Sequence, residues 1–216
     1  MGIGEFVRTV LAPASQVEHL EVIPARGPRY AYLHHKLCPP LGKYLRTQRI
    51  RLYTHQVEAI DRILAGKNVI ITTPTASGKT LAFNFPVFEA LYRDEKATAL
   101  YLYPMKALTN DQLTVLLRLE KATGIRALSS IYDGDIPQGV RAKIRERARI
   151  VLTNPYALHQ YLPWHQKWRR FFRHLKIVVI DETHSYRGVF GSNVAMLVRR
   201  LLRPPVRPLL GHLSQS

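Results

Sequence analysis

Residues 73–80 read Thr-Pro-Thr-Ala-Ser-Gly-Lys-Thr, and far downstream residues 180–184 read Ile-Asp-Glu-Thr-His. Each segment follows a β-branched run, Val69-Ile70-Ile71 and Ile177-Val178-Val179. A strand that turns through small residues into Gly-Lys-Thr and then a helix builds a cradle for phosphate. Backbone N–H groups of Thr75, Ala76, Ser77 and Gly78 face the anion, Lys79 reaches the β- and γ-phosphates, and the Thr80 hydroxyl binds Mg²⁺. A second buried strand ending in Asp-Glu supplies the other half: Asp181 holds the Mg²⁺ through water, and Glu182 orients and deprotonates the attacking water. Taken singly, Ser77 is an ordinary helix cap and Asp-Glu a solvated strand end. Together and in this order, each behind a core strand, they point to ATP with Mg²⁺. Thr73 stands where the usual pattern has its first glycine.

The elements that must position these residues follow from periodicity. Residues 53–65 read as a helix capped by Thr54, with Gly66 just past its end, and residues 68–73 as the first strand. The helix after the phosphate turn spans 78–92, with Pro86 expected to kink or shorten it. A strand at 97–103, a helix at 107–120, a shorter strand at 126–132, a basic helix at 138–147 and strands at 149–153 and 176–180 complete the set. Trp164 and Trp168, at i and i+4, share a helical face and read as core rather than a base-stacking platform. Strands alternating with helices, apolar on both faces, predict an α/β fold with a mainly parallel sheet and helices on both faces. Three parts are expected: an irregular, Pro-rich extension over 1–50 that packs on the core or on a neighbouring domain, the main domain over 51–203, and a Pro-rich tail over 204–216.

The 216-residue chain has no apolar stretch long enough to span a bilayer, and Glu5 and Arg8 interrupt any leader-like start, so a cytoplasmic protein without a membrane partner is expected. A lone Cys38 excludes an internal disulfide and reads as a small apolar filler; the adjacent His34 and His35 show no metal-ligand spacing. Thirty-two Lys and Arg against fifteen Asp and Glu give +17, which fits a polyanionic partner such as nucleic acid. Much of that charge is concentrated at 141–149 and 167–176, where many side chains must face solvent or phosphate.

Further landmarks make the chain resemble the DEAD/DEAH-box-like helicases of superfamily 2, specifically their first RecA-like domain, over residues 40–203. Leu52-Tyr53-Thr54-His55-Gln56 looks like the adenine-reading glutamine motif, which implies paired hydrogen bonds from Gln56 to adenine and Tyr53 packed on the ring. Residues 103–108, Tyr-Pro-Met-Lys-Ala-Leu, look like a strand-contacting motif. So do residues 132–135, Tyr-Asp-Gly-Asp, and 153–155, Thr-Asn-Pro. The resemblance implies that Pro104, Lys106, Gly134, Asp135, Thr153, Asn154 and Arg187 lie along a single strand of nucleic acid, and that His184 couples the nucleotide site to a partner domain. Each has a plainer role: Lys106 as a solvated helix start, Thr153 as an N-cap, Gly134 and Asp135 as a turn, Arg187 as a salt-bridge former. Residues 184–192, His-Ser-Tyr-Arg-Gly-Val-Phe-Gly-Ser, resemble the DNA-repair helicases that carry a cysteine-rich metal-binding C-terminal domain, which are 3′-to-5′ DNA translocases.

Departures from that pattern matter equally. Met105, Tyr156 and Thr183 differ from the usual residues, and no Ser-Ala-Thr occurs. No second RecA-like domain is present either, so the expectation is a truncated ATP-dependent DNA helicase that hydrolyses ATP slowly if at all by itself. The competing readings are a non-catalytic nucleic-acid-binding P-loop module and a small-molecule kinase; the Asp-Glu box, Gln56 and the charge stand against the last.

Overall fold

The computed structural model describes residues 3–7, 9, 27–73 and 78–202. Four strands, β1 (Thr98–Leu102), β2 (Ser130–Ile131), β3 (Ile150–Thr153) and β4 (Leu175–Ile180), form one sheet in the order β2-β3-β1-β4 with every pairing parallel. After the short α1 (Ile3–Phe6), helices α2 (Pro39–Thr47), α3 (Thr54–Leu64), α4 (Lys79–Arg93) and α5 (Lys106–Thr123) precede β2. Then come α6 (Gln138–Arg147), α7 (Pro155–Tyr161), α8 (Arg169–Arg173) and α9 (Gly188–Leu201).

Period-two alternation sorts the sheet's two faces. Ala99, Tyr101, Ile150 and Leu152 join a core with residues of α2 to α5; Leu100, Leu102 and Val151 join a second core with residues of α6 to α9. This is the doubly covered parallel sheet expected from the buried apolar strands. Residue 138 opens and residue 147 closes α6, as expected, and β3 and β4 lie within a residue of their expected bounds.

Four expectations require correction. Residues 68–73 belong to no strand: they run beside β4 across a cavity, with Ile70 88% exposed. A strand exists by its ladder, and β4 pairs only with β1 among the described residues. Pro86 does not end α4, because the helix buries Phe83, Phe85, Val87, Phe88 and Leu91 around it. Each such side chain contributes roughly 1.5–3 kcal/mol, which together outweighs the loss of roughly 3 kcal/mol that an interior proline imposes. Tyr53, not Thr54, caps α3, and the Gln56 side chain accepts from the Tyr53 N–H at 2.9 Å. Trp164 and Trp168 part company: Trp164 leaves helical angles (φ −92°, ψ 31°) inside the 3-10 stretch Leu162–Trp168, so Trp168 turns inward at 2% exposed while Trp164 stands 63% exposed.

The described part of the N-terminal segment is integral to this body. The Ala31 N–H donates to the Leu52 carbonyl and the Thr54 N–H to the Arg29 carbonyl, and Cys38 and Leu41 sit in the first core. Glu89, fully buried, accepts from the Cys38 N–H and from Arg93 Nε, both at 2.7 Å. Burial, reinforced by Glu89, pushes the Cys38 thiol up to about 11, as suits an inert filler. His34 and His35 both give a ring nitrogen and a backbone N–H to Asp61. Residues 204–216 lie outside the described residues.

Not all of the basic charge faces outward. Arg149 donates to four carbonyls, of Ala97 (3.2 Å), Arg126 (2.8 Å), Leu91 (2.6 Å) and Asp94 (2.7 Å), tying α4 and the strand starts together. Only a planar guanidinium fork reaches all four. Arg149→Ala is expected to lose roughly 2–4 kcal/mol and to lower Tm by roughly 5–15 °C, with Arg149→Lys recovering only a minority; thermal unfolding followed by circular dichroism measures both.

Candidate nucleotide site and nucleic-acid face

The parallel strands deliver their C-terminal ends to one edge of the sheet, where open α/β folds bind ligands. β4 runs out at Ile180 into Asp181 and Glu182, and opposite stands the first turn of α4, which opens with Lys79 and Thr80. A cavity of about 600 Å³ lies between, lined by Lys79, Asp181, Glu182, His184, Thr73 and the 66–72 segment. Lys79 and Asp181 are close enough for the ammonium charge to pull on the carboxyl. Lys79 Nζ donates to the Thr73 carbonyl at 3.2 Å, and Asp181 Oδ1 accepts from the Glu182 N–H at 2.9 Å.

Two backbone positions set this geometry. Gly78 caps α4 at φ +75°, and a Cβ there would fall 2.6 Å from Gln56 Nε2, so only glycine fits. Glu182 holds φ +50° without being glycine, a conformation costing on the order of 1–2 kcal/mol; it turns the chain sharply after β4 and places Glu182 Oε2 3.3 Å from His184 Nδ1. Ammonium, hydroxyl and two carboxylates at a helix N-terminus are the donor set that a triphosphate with Mg²⁺ requires. The Tyr103 and Tyr186 hydroxyls, buried beside Asp181, have no hydrogen-bond partner among the described residues.

Several expected roles change. Gln56 is 2% exposed, its side chain accepting from the Tyr53 N–H and donating to the Gly78 carbonyl at 2.8 Å, which ties the start of α3 to the start of α4. The Tyr53 ring stacks on Tyr30 at 5.3 Å and on His55 at 5.7 Å. Thr75, Ala76 and Ser77 lie outside the described residues.

A second cleft, of about 510 Å³, opens at the ends of β2 and β3 and brings together Lys106, Gly134 and Asn154. Lys106 is not a lone solvated cation: its Nζ pairs with Asp135 at 2.5 Å. Thr153 neither caps a helix nor faces the cleft, because it is buried and donates to the Tyr132 carbonyl at 2.6 Å. Asn154 caps α7 instead, accepting from the Ala157 N–H at 2.8 Å. Pro104 is outside the lining, and Arg187 donates to the His184 carbonyl at 2.8 Å rather than to a carboxylate. Arg141 and Arg145, expected only as part of a basic run facing solvent or phosphate, line this cleft from α6, sharing one helix face at i, i+4.

A phosphate-turn lysine and a strand-end Asp-Glu facing each other at one edge of a parallel sheet define a RecA-like ATP-binding domain. The DEAD/DEAH box helicase family model matches residues 53–211, and the chain belongs to that family. It is 42% identical over 193 residues to the ATP-dependent helicase HRQ1 of Saccharomyces cerevisiae, covering 88% of this chain and 18% of that protein. It is 49% identical over 153 residues to the uncharacterized ATP-dependent helicase YprA of Bacillus subtilis, covering 70% of this chain and 20% of that protein. Among solved structures, the DUF1998 helicase MrfA bound to DNA and AMPPNP superposes with a TM-score of 0.83 at 39% identity, over 93% of this chain and 28% of MrfA. The chain therefore spans about a fifth of the length of these curated relatives.

Burial raises the Asp181 carboxyl above its ordinary value and the Glu182 charge adds to this, while the Glu182 N–H and Lys79 oppose it. A carboxyl whose pKa is higher in the folded state favours folding when protonated; that contribution is present at low pH and is lost as pH rises through the folded pKa. Asp181→Asn is thus expected to raise Tm at pH 8 without nucleotide, with the gain shrinking as pH falls through the carboxylate range, as differential scanning fluorimetry would show.

Proposed function

We propose that the chain is the ATP-binding part of a DNA helicase in which nucleotide binding and hydrolysis drive movement along a single strand. Lys79 and the first turn of α4 hold the β- and γ-phosphates, Thr80 and Asp181 hold Mg²⁺, and Glu182 orients and deprotonates the attacking water. Bound Mg²⁺ would neutralise phosphate charge as bond cleavage proceeds. The carrying observation is that Lys79 and Asp181, distant in sequence, line one cavity and interact electrostatically.

His184, paired with Glu182 at the rim, would pass the nucleotide state to a second RecA-like domain. An arginine delivered from such a domain accelerates phosphoryl transfer by roughly 10³–10⁵, so fast turnover should depend on one being supplied. Lys106, Gly134 and Asn154 would hold strand phosphates at the other cleft. The match to a helicase solved with DNA supports DNA as the partner, and the resemblance of residues 184–192 favours placement among DNA-repair helicases. No helix among the described residues is long and apolar enough to cross a membrane.

Titration with a fluorescent ATP analogue tests this reading. The chain is expected to bind it in a Mg²⁺-dependent manner, and Lys79→Ala to weaken binding at least about tenfold, the loss of one charge-assisted contact. Equal affinity for both proteins would refute it. The unladdered 68–73 segment favours one competitor, a nucleic-acid-binding module indifferent to ATP. Such a module would bind DNA with a steep salt dependence and show no response to nucleotide.

A further inference from the structure

Trp164 is the largest aromatic side chain left in solvent, although the same short segment buries Trp168 against Tyr132, Tyr161 and Phe171. A tryptophan held outward forgoes a large burial gain, and here the kink at its own φ and ψ holds it there. Tyr156, 73% exposed, stands with it on the second cleft. Lys167 places its Nζ over one face of the Trp164 ring, 5.2 Å from the centroid, leaving the opposite face for a ligand.

Two arginines of the lining are held in place by hydrogen bonds. Arg141 donates to the Ile136 carbonyl at 2.9 Å and the Gly134 carbonyl at 3.1 Å, and lies 5.9 Å from the Tyr132 ring. Arg145 donates to the Tyr132 hydroxyl at 3.0 Å. These bonds use two and one of the five N–H groups on each guanidinium, so both are preorganised with donors left over. With Lys106 already paired to Asp135, the cleft sets Arg141, Arg145 and Lys167 against one lining carboxylate, Asp133. An uncharged apolar peptide would leave that excess of positive charge uncompensated, whereas a ligand with a flat π-face and regularly spaced negative charge satisfies both features.

We infer that this cleft is a nucleobase site: one unstacked base of a single strand lies on Trp164, with Tyr156 at its edge, while Arg141 and Lys167 hold the adjoining phosphates. The site deepens the nucleic-acid reading above and rests on it, adding a stacking platform to phosphate contacts that carry no grip on bases. A π-face accepts any base, so binding through it is tolerant of sequence and excludes duplex, whose bases are already stacked.

Trp168 is buried, so Trp164 dominates any quenching of intrinsic tryptophan fluorescence. Titrating the 216-residue chain with a twelve-nucleotide oligothymidylate is expected to quench that signal, with a duplex of equal length giving little effect. Trp164→Ala should weaken oligothymidylate binding by about 5- to 150-fold, the worth of one stacked base, and leave the salt dependence unchanged; Trp164→Phe should restore most of the affinity. Lys167→Ala should instead flatten the salt dependence by about one ion. Oligothymidylate binding that neither quenches Trp164 nor weakens in Trp164→Ala, or equal binding of duplex, would overturn the nucleobase site while leaving DNA binding intact. Failure of the unaltered chain to bind oligothymidylate at all would overturn both readings.

Discussion

The Lys79 ammonium and the Asp181 carboxylate feel one another across a cavity, and that placement is produced by a parallel ladder rather than by local sequence. β1 fixes β4 in register from Leu100↔Val178 to Leu102↔Ile180, so the chain must leave the sheet at Asp181. On the other side, α4 is anchored by its buried phenylalanines and by Tyr101, whose hydroxyl donates to Asn84 Oδ1 at 2.8 Å. Strand and helix are thus both held by the same β1. The nucleotide site inherits its geometry from that strand's packing on two faces.

A charge of +17 proves to have two origins. Arg149 and Arg170 are turned onto backbone carbonyls, and Arg93 answers a buried glutamate. These cations close the body at the end of the sheet away from the ligands. Arg141, Arg145 and Lys167 lie instead along one cleft at the strand C-termini, among exposed aromatic rings. Position, more than total charge, separates cations that hold the fold from cations that can hold phosphate.

How much of this was legible in the sequence depended on how local the deciding interaction was. α6 was readable because Pro137 and Ala148 bound a uniform helical stretch; β3 and β4 were readable because buried parallel strands are continuous apolar runs. Residues 68–73 carry the same β-branched composition yet form no strand, since composition does not state whether a neighbour stands alongside. Gln56 looked free to read a base because its partner, the Gly78 carbonyl, lies 22 residues away. Trp164 looked buried because the i, i+4 rule assumes an unbroken helix, and the kink breaks it. The helix cap fell on Asn154 rather than Thr153, a shift of one residue within the usual uncertainty of a helix start. Lys79, Asp181 and Glu182 could be singled out from sequence as lining one cavity, since the need for ammonium and carboxylate around a triphosphate is chemical and independent of such details.

The most direct test is a crystal structure of the chain grown with a non-hydrolysable ATP analogue and Mn²⁺, the metal located by its anomalous signal. Lys79 Nζ is expected to be released from the Thr73 carbonyl and to lie within about 3 Å of a β- or γ-phosphate oxygen, with the metal between Thr80 and Asp181, bound directly or through one water. Nucleotide seated elsewhere, or a metal out of reach of Asp181, would contradict this placement.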